Sequence, residues 1–231
     1  DLTAELKAPK TREWKDTTVG QLVEAIAAEH DLTPRVAAEL ASIPIEHLSQ
    51  TSESDLNLLT RQARRMDAVA KVGGGALLFV RRGAGATASG EALTPIPLGA
   101  DEVAGWSWRI DDRGTYASAA AFWNDLGGAK RQRVETSAEA PQFEISETFA
   151  TEAIARRAAA AKLEELRRGG LRMEVALPVG RPELLAETPV DLSGFKDGID
   201  GRWIAQTVSH RFEGSDGFRT ALTLVPPPET A

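Results

Sequence analysis

Residues 47–82, HLSQTSESDLNLLTRQARRMDAVAKVGGGALLFVRR, constrain the fold more than any other stretch of this chain. A polar Gln-Thr-Ser-Glu-Ser-Asp lead-in runs into a helical pattern and then into two strand-like runs around a glycine triplet. Ser52 reads as a helix N-cap. Glu53 and Asp55 then place carboxylates in the first turn, where unpaired N–H groups and the positive dipole end favour them. Leu56, Leu59, Ala63 and Met66 recur at helical spacing and form one apolar stripe. Arg61, Arg64 and Arg65 fill the later turns, where positive charge suits the dipole. Asp67 to Val72 and Ala76 to Val80 read as short strands around Gly73-Gly74-Gly75. The segment predicts a capped amphipathic helix that feeds a hairpin.

Upstream, Val19, Leu22, Val23, Ile26 and Ala27 follow the spacing of an amphipathic helix, with Thr18 and Gln21 as a capping box. The helix should fade near His30-Asp31. Thr33-Pro34 offers an N-cap and a proline at N1 for a second, shorter helix through Leu40. Ile43-Pro44-Ile45 should be extended, because the residue before proline avoids the α region. Residues 15–86 therefore read as a small helix-plus-hairpin α/β domain, and the Gly-, Ala- and Pro-rich 87–99 as a linker. Strands dominate from residue 100: Trp106, Trp108 and Ile110 alternate, and Asp111-Asp112-Arg113-Gly114 reads as a turn into Tyr116–Trp123. Lys130–Thr136, Phe143–Ile145, Leu171–Leu177, Val190–Leu192, Trp203–Phe212 and Phe218–Val225 follow, with Ser215-Asp216-Gly217 as the last hairpin turn. One helix, Thr151 to Arg168, interrupts them, with a stripe at Ala155, Ala159, Leu163 and Leu166 and a stop at Gly169-Gly170. The predicted class is α+β, mainly β: a small α/β domain followed, over 100–231, by an antiparallel barrel-like domain with helix 151–168 packed outside it. Alternation implies that one face of each strand is buried.

Composition narrows the functions. A net charge of −7 argues against generic attraction to nucleic acid or to an anionic membrane. No apolar run reaches the ~18–20 residues that span a bilayer, and the absence of cysteine excludes thiol catalysis and thiolate metal sites. The chain opens on Asp1, so it is expected to be a fragment or a processed product. Gly83-Ala84-Gly85-Ala86-Thr87-Ala88 superficially fits a dinucleotide fingerprint, but Ser89-Gly90-Glu91 and prolines follow where a helix is needed. His30, His47 and His210 lack the spacing of metal ligands. Glu53 and Asp55, in one helical turn, are better explained by capping than by paired acid–base catalysis. No catalytic residue, cofactor or metal is therefore expected. Trp106 and Trp108, on one strand face, could serve as carbohydrate platforms. Arg61, Arg64, Arg65, Arg167 and Arg168 are either solvated helix faces or subunit contacts, since Arg is enriched at interfaces.

Gln50, Glu53, Ser54, Asp55, Leu56, Leu58, Leu59 and Arg61, followed by Leu77, Phe79 and Val80, resemble the Gln-x-x-Glu-Ser-Asp block of the phage late control gene D family. A second match is Arg12-Glu13-Trp14-Lys15-Asp16-Thr17-Thr18-Val19. A third runs from Gly201-Arg202-Trp203-Ile204 through His210 to Gly217-Phe218-Arg219-Thr220. The three keep the family's order and cover most of residues 10–224. These are baseplate hub proteins of contractile-tailed phages, distantly similar to the N-terminal part of type VI secretion spike proteins. The resemblance implies that residues 1–14 end an N-terminal barrel that this chain lacks. It further implies a homotrimer between the tail tube and spike of a contractile phage tail or a tailocin, at the virion baseplate and, during assembly, in the host cytoplasm. DNA would be only a transient cargo in an acidic lumen, with no stable membrane association. A glycan-binding tail module is the alternative, and a cell-wall hydrolase a more distant one.

Overall fold

The computed structural model describes residues 5–85, 91–110, 116–214 and 217–228. It is mainly β, with helices set among mixed sheets. β1 (Pro9–Thr18) and β3 (Pro44–Ser54) form an antiparallel ribbon that pairs Trp14 with Leu48. Residues 9–14 form the first part of β1. Between its strands lie α1 (Val19–Glu29), β2 (Thr33–Val36) and the single turn α2 (Ala38–Ala41). α1 starts at the expected capping box: Gln21 N–H donates to Thr18 Oγ1 at 3.2 Å and Thr18 N–H to Gln21 Oε1 at 3.0 Å. Its stripe of Leu22, Val23, Ile26 and Ala27 is fully buried. Gly20 lets α2 approach, since a Cβ there would lie 3.2 Å from that of Ala41.

Three local expectations fail here. Thr33-Pro34 starts a strand, not a helix: β2 pairs in parallel with β5 (Ala76–Arg81), and Thr33 N–H donates to Gly75 O at 3.0 Å. An edge strand tolerates a proline, whose missing N–H can face away from the ladder. The helix after β3, α3 (Asp55–Arg65), is capped by Ser54, whose Oγ accepts from Asn57 N–H at 3.2 Å. Ser52 is instead part of a β-bulge in β3, with φ of 48°. Leu58 takes the buried position that Leu56 was expected to hold, beside Leu59 and Ala63. β4 (Ala68–Gly73) and β5 form the expected hairpin, with Gly74 and Gly75 at positive φ in its turn. Such two-residue turns need left-handed backbone, which glycine adopts without a Cβ clash.

The remaining strands divide between two sheets. β6 (Ile96–Gly99), β7 (Gly105–Ile110), β11 (Leu171–Leu177), β12 (Pro189–Ser193), β13 (Gly201–Glu213) and β14 (Gly217–Val225) form one sheet in the order β6-β12-β13-β14-β11-β7. It is antiparallel except for the β6–β12 pair. β6 lies within the stretch expected as a linker. Among the described residues β6 and β7 are its open edges. β8 (Ser118–Asp125), β9 (Lys130–Glu135) and β10 (Gln142–Phe149) form a second sheet, with β8 central and β10 parallel to it. β7 pairs with β11 and not with β8. The turns expected at 111–114 and 215–217 fall wholly or partly outside the described residues.

α4 (Glu152–Gly169), capped by Thr151, buries the predicted Ala155, Ala159, Leu163 and Leu166. Its partner is the second sheet, where Ala155, Ala159 and Leu163 meet Ala119, Ala121 and Val134. Small alanines on both sides allow that close packing. The larger sheet has its own core of Met173, Val175, Leu177, Trp203, Leu222 and Leu224.

Candidate functional site

Polar side chains from three elements converge on Asp55, whose carboxylate is fully buried at the start of α3. β1 supplies Lys10, with Nζ 2.6 Å from Oδ2, and Arg12, with NH2 2.7 Å from Oδ1. His30, the C-cap of α1, places Nε2 3.0 Å from Oδ2. From β3, Gln50 Nε2 donates to Oδ1 at 2.8 Å and to the Glu53 carbonyl at 2.9 Å. Gln50 Oε1 in turn accepts from Arg12 Nε at 2.9 Å and Trp14 Nε1 at 3.2 Å. Glu29 completes the ring through Lys10 at 2.7 Å and through Arg12. The β3 bulge makes this possible: Arg12 opposes Gln50 while Lys10 opposes Glu53, so one strand meets both the glutamine and the helix start. Burial alone would raise the pKa of Asp55. Hydrogen bonds from Lys10, Gln50 and His30 and the charge of Arg12 outweigh it and hold the pKa at about 2.

This arrangement is built to hold chain segments together. Asp55 stays ionised at neutral pH, so it cannot donate a proton. Glu53, the other carboxylate of the supposed pair, is clamped by Arg61 at 3.0 and 2.6 Å. A glycosidase acid needs an apolar pocket that raises its pKa. Glu29, His30 and Asp55 bring potential ligand atoms within 4.8 Å of one another. However, Lys10 and Arg12 already supply two positive charges to the two carboxylates, so the donor set fits a divalent cation poorly.

The other sequence candidates are also accounted for structurally. Gly83 and Gly85 have positive φ, and Gly83 N–H donates to Glu187 rather than facing an open phosphate site. A Cβ on Gly85 would lie 2.8 Å from Pro189 Cγ. Residues 86–88 of that motif lie outside the described residues. His210 is held at both ring nitrogens, by Thr220 Oγ1 at 2.9 Å and the Leu184 carbonyl at 3.1 Å. His47 is exposed, 3.8 Å from Glu13.

The five arginines separate by environment. Arg61 is engaged with Glu53 and the Ser49 carbonyl, and Arg65 pairs with Glu147 while lying over Phe149. Arg167 pairs with Glu164 at 3.2 Å. Arg168 is buried, donating from NH1 to Asp67 Oδ2 at 2.9 Å. It ties α4 to the start of β4. Arg64 is exposed and has no ion-pair partner among the described residues. Sequence reasoning missed the Asp67–Arg168 pair, which spans 101 positions, and the role of Lys10.

Strand β7 departs most from expectation. Trp106, Trp108 and Ile110 lie opposite Val175, Met173 and Leu171, on the core side of the larger sheet. Yet they remain 38%, 40% and 67% exposed. Burial is incomplete because, among the described residues, β7 is an edge with no further strand or loop covering that face. Trp106 meets the edge of Phe195, and Lys196 Nζ sits 5.3 Å from the Trp108 ring centre. Each indole thus has one neighbour from residues 195–196 and an exposed remainder.

Residues 6–216 match the family described as phage tail baseplate hub (GPD). A probable baseplate hub protein of Escherichia phage 186 is 32% identical, over 97% of this chain and 68% of its own length. Among solved structures, the 43 kDa tail protein of prophage MuSo2 from Shewanella oneidensis superposes with a TM-score of 0.70. The match covers 98% of this chain and 71% of that one at 16% identity. The E. coli c3393 protein, a type VI secretion component described as similar to T4 tail proteins gp27 and gp5, gives 0.59. That match covers 99% and 54% at 11% identity.

Proposed function

The chain belongs to the phage tail baseplate hub (GPD) family, and from that premise we propose that three copies form a ring joining the tail tube to the central spike. Its role is that of a structural component of the virion tail baseplate. The ring reading rests on one observation above all: among the described residues the core face of the six-stranded sheet runs out at β7, leaving Trp106, Trp108 and Ile110 partly exposed. An open, apolar edge strand is a template for pairing with another chain, and soluble proteins normally blunt such edges. A neighbouring copy would cover it.

The function in this reading is mechanical. The Asp55 network and the Asp67–Arg168 pair stiffen each subunit, and the chain carries out no reaction of its own. Assembly takes place in the host cytoplasm before the hub enters the virion. DNA passes through as cargo, so lumen-facing positions carry more Asp and Glu than Lys and Arg and do not hold the phosphates. Reconstruction of the intact particle tests this. Three copies at the tube–spike junction with an acidic lumen are expected. A basic lumen, or another position for this chain, overturns the ring.

A further inference from the structure

Five basic and two acidic side chains line a cleft of about 580 Å³ where α3, α4, β11 and β13 meet, on a chain whose net charge is −7. Both acids are already engaged: Asp67 by Arg168, and Glu165 by Lys162 at 3.1 Å. Arg64, Arg82 and Arg172 remain without a carboxylate partner among the described residues. Arg82 makes only a 3.2 Å hydrogen bond to the Ala68 carbonyl. The dipole at the C-terminus of α3 accounts for Arg64. It does not account for Arg82, just beyond β5, or for Arg172 on β11.

A second feature points the same way. Arg172 lies directly opposite Arg109 in the β7–β11 ladder, and Arg109 likewise has no acidic partner among the described residues. Like charges directly opposite across two strands repel. An anion bound at this end of the cleft would relieve that repulsion. Guanidinium groups pair with carboxylates in a fixed, bidentate geometry.

We propose that this cleft is a docking site for an acidic protein segment, whose clustered Asp or Glu side chains pair with Arg64, Arg82 and Arg172. A protein carboxylate is favoured over nucleic acid because the cleft is a local basic island. The chain as a whole carries −7, so a long phosphate backbone running out of the cleft meets more repulsion than a short peptide does. The inference does not depend on the three-fold ring.

The test uses the full chain and three probes: a hexaglutamate peptide, inorganic phosphate and a 12-base-pair DNA duplex. Calorimetric titration at low and at physiological salt is expected to show peptide binding that weakens as salt rises. Each of Arg64→Gln, Arg82→Gln and Arg172→Gln should weaken it about fivefold, the scale of one exposed ion pair. Melting temperatures identify any variant that loses binding through unfolding, and the exposed Arg64→Gln is the one least able to do so. Failure of the peptide to bind, or binding unaffected by Arg64→Gln and a folded Arg172→Gln, overturns the proposal. Phosphate or duplex binding at least as tightly through the same arginines overturns it as well.

Discussion

At the scale of single residues, the family block is explained by one buried charge. Gln50, Asp55, Arg12 and Trp14 come from two separate sequence matches and form one network, Arg12 and Gln50 on the Asp55 carboxylate and Trp14 on Gln50, so the motif marks a joint between segments. Asp55→Asn keeps the shape but leaves Lys10 and Arg12 facing a neutral amide. Breaking a buried pair from one side costs up to ~3–5 kcal/mol; with both cations partly exposed we expect about 2–4. Thermal melting should show this as a fall of several degrees. The pH dependence has a definite sign. The folded pKa of about 2 lies below the ordinary 3.8, so the stabilisation is complete above pH ~5 and is lost as pH falls through 4 towards 2. It amounts to about 2 kcal/mol, and the Asn variant should lose that part of the acid slope in urea titrations. The caps give a second prediction. Ser54→Ala should cost about 1 kcal/mol, whereas Ser52→Ala should cost less than half of that, because only Ser54 caps α3. Chemical denaturation of the two variants decides it. The sequence could not separate these serines: both precede carboxylates, and only the bulge, set by pairing with β1, removes Ser52 from the helix start.

At the scale of elements, what was legible depended on whether the partner was local. The α1 capping box, the β4–β5 turn and the buried stripe of α4 are written in residues three or four apart, and the structure has all of them. Thr33-Pro34 was misread because its helix signal is local, whereas its strand depends on β5, more than forty residues away. The same limit hid the Asp67–Arg168 pair, which fixes α4 against the β4–β5 hairpin. Arg168→Met should destabilise the chain by about 3 kcal/mol, since Asp67 would be left buried and unpaired. Asp67→Asn with Arg168→Met should recover much of that loss. A double-mutant cycle measured by denaturant unfolding should therefore give a coupling of at least about 1 kcal/mol, well above the additivity error of independent sites. Near-additive losses would mean that α4 is held by the Ala119–Ala159 packing alone.

At the scale of the whole molecule, the sheet is finished on one face and unfinished along one edge. The alternation of Trp106, Trp108 and Ile110 signals a buried face, and the strand pairing places all three on the core side. Among the described residues no further segment covers them, and in the proposed ring a neighbouring copy would. Ile110→Lys tests this directly. Its side chain is 67% exposed, so the isolated fold should keep its melting temperature within about 2 °C, as surface changes rarely exceed ~0.5 kcal/mol. If a neighbouring copy covers β7, the same substitution places a charge in each apolar contact of the ring. The contact also loses roughly 1.5–3 kcal/mol of side-chain burial per interface. Sedimentation of the full-length hub should then shift from three copies towards one, while Arg61→Gln, engaged within its own chain, should not shift it. A variant that unfolds would place Ile110 in the chain's own core; one that folds and still forms the trimer would place the interface elsewhere.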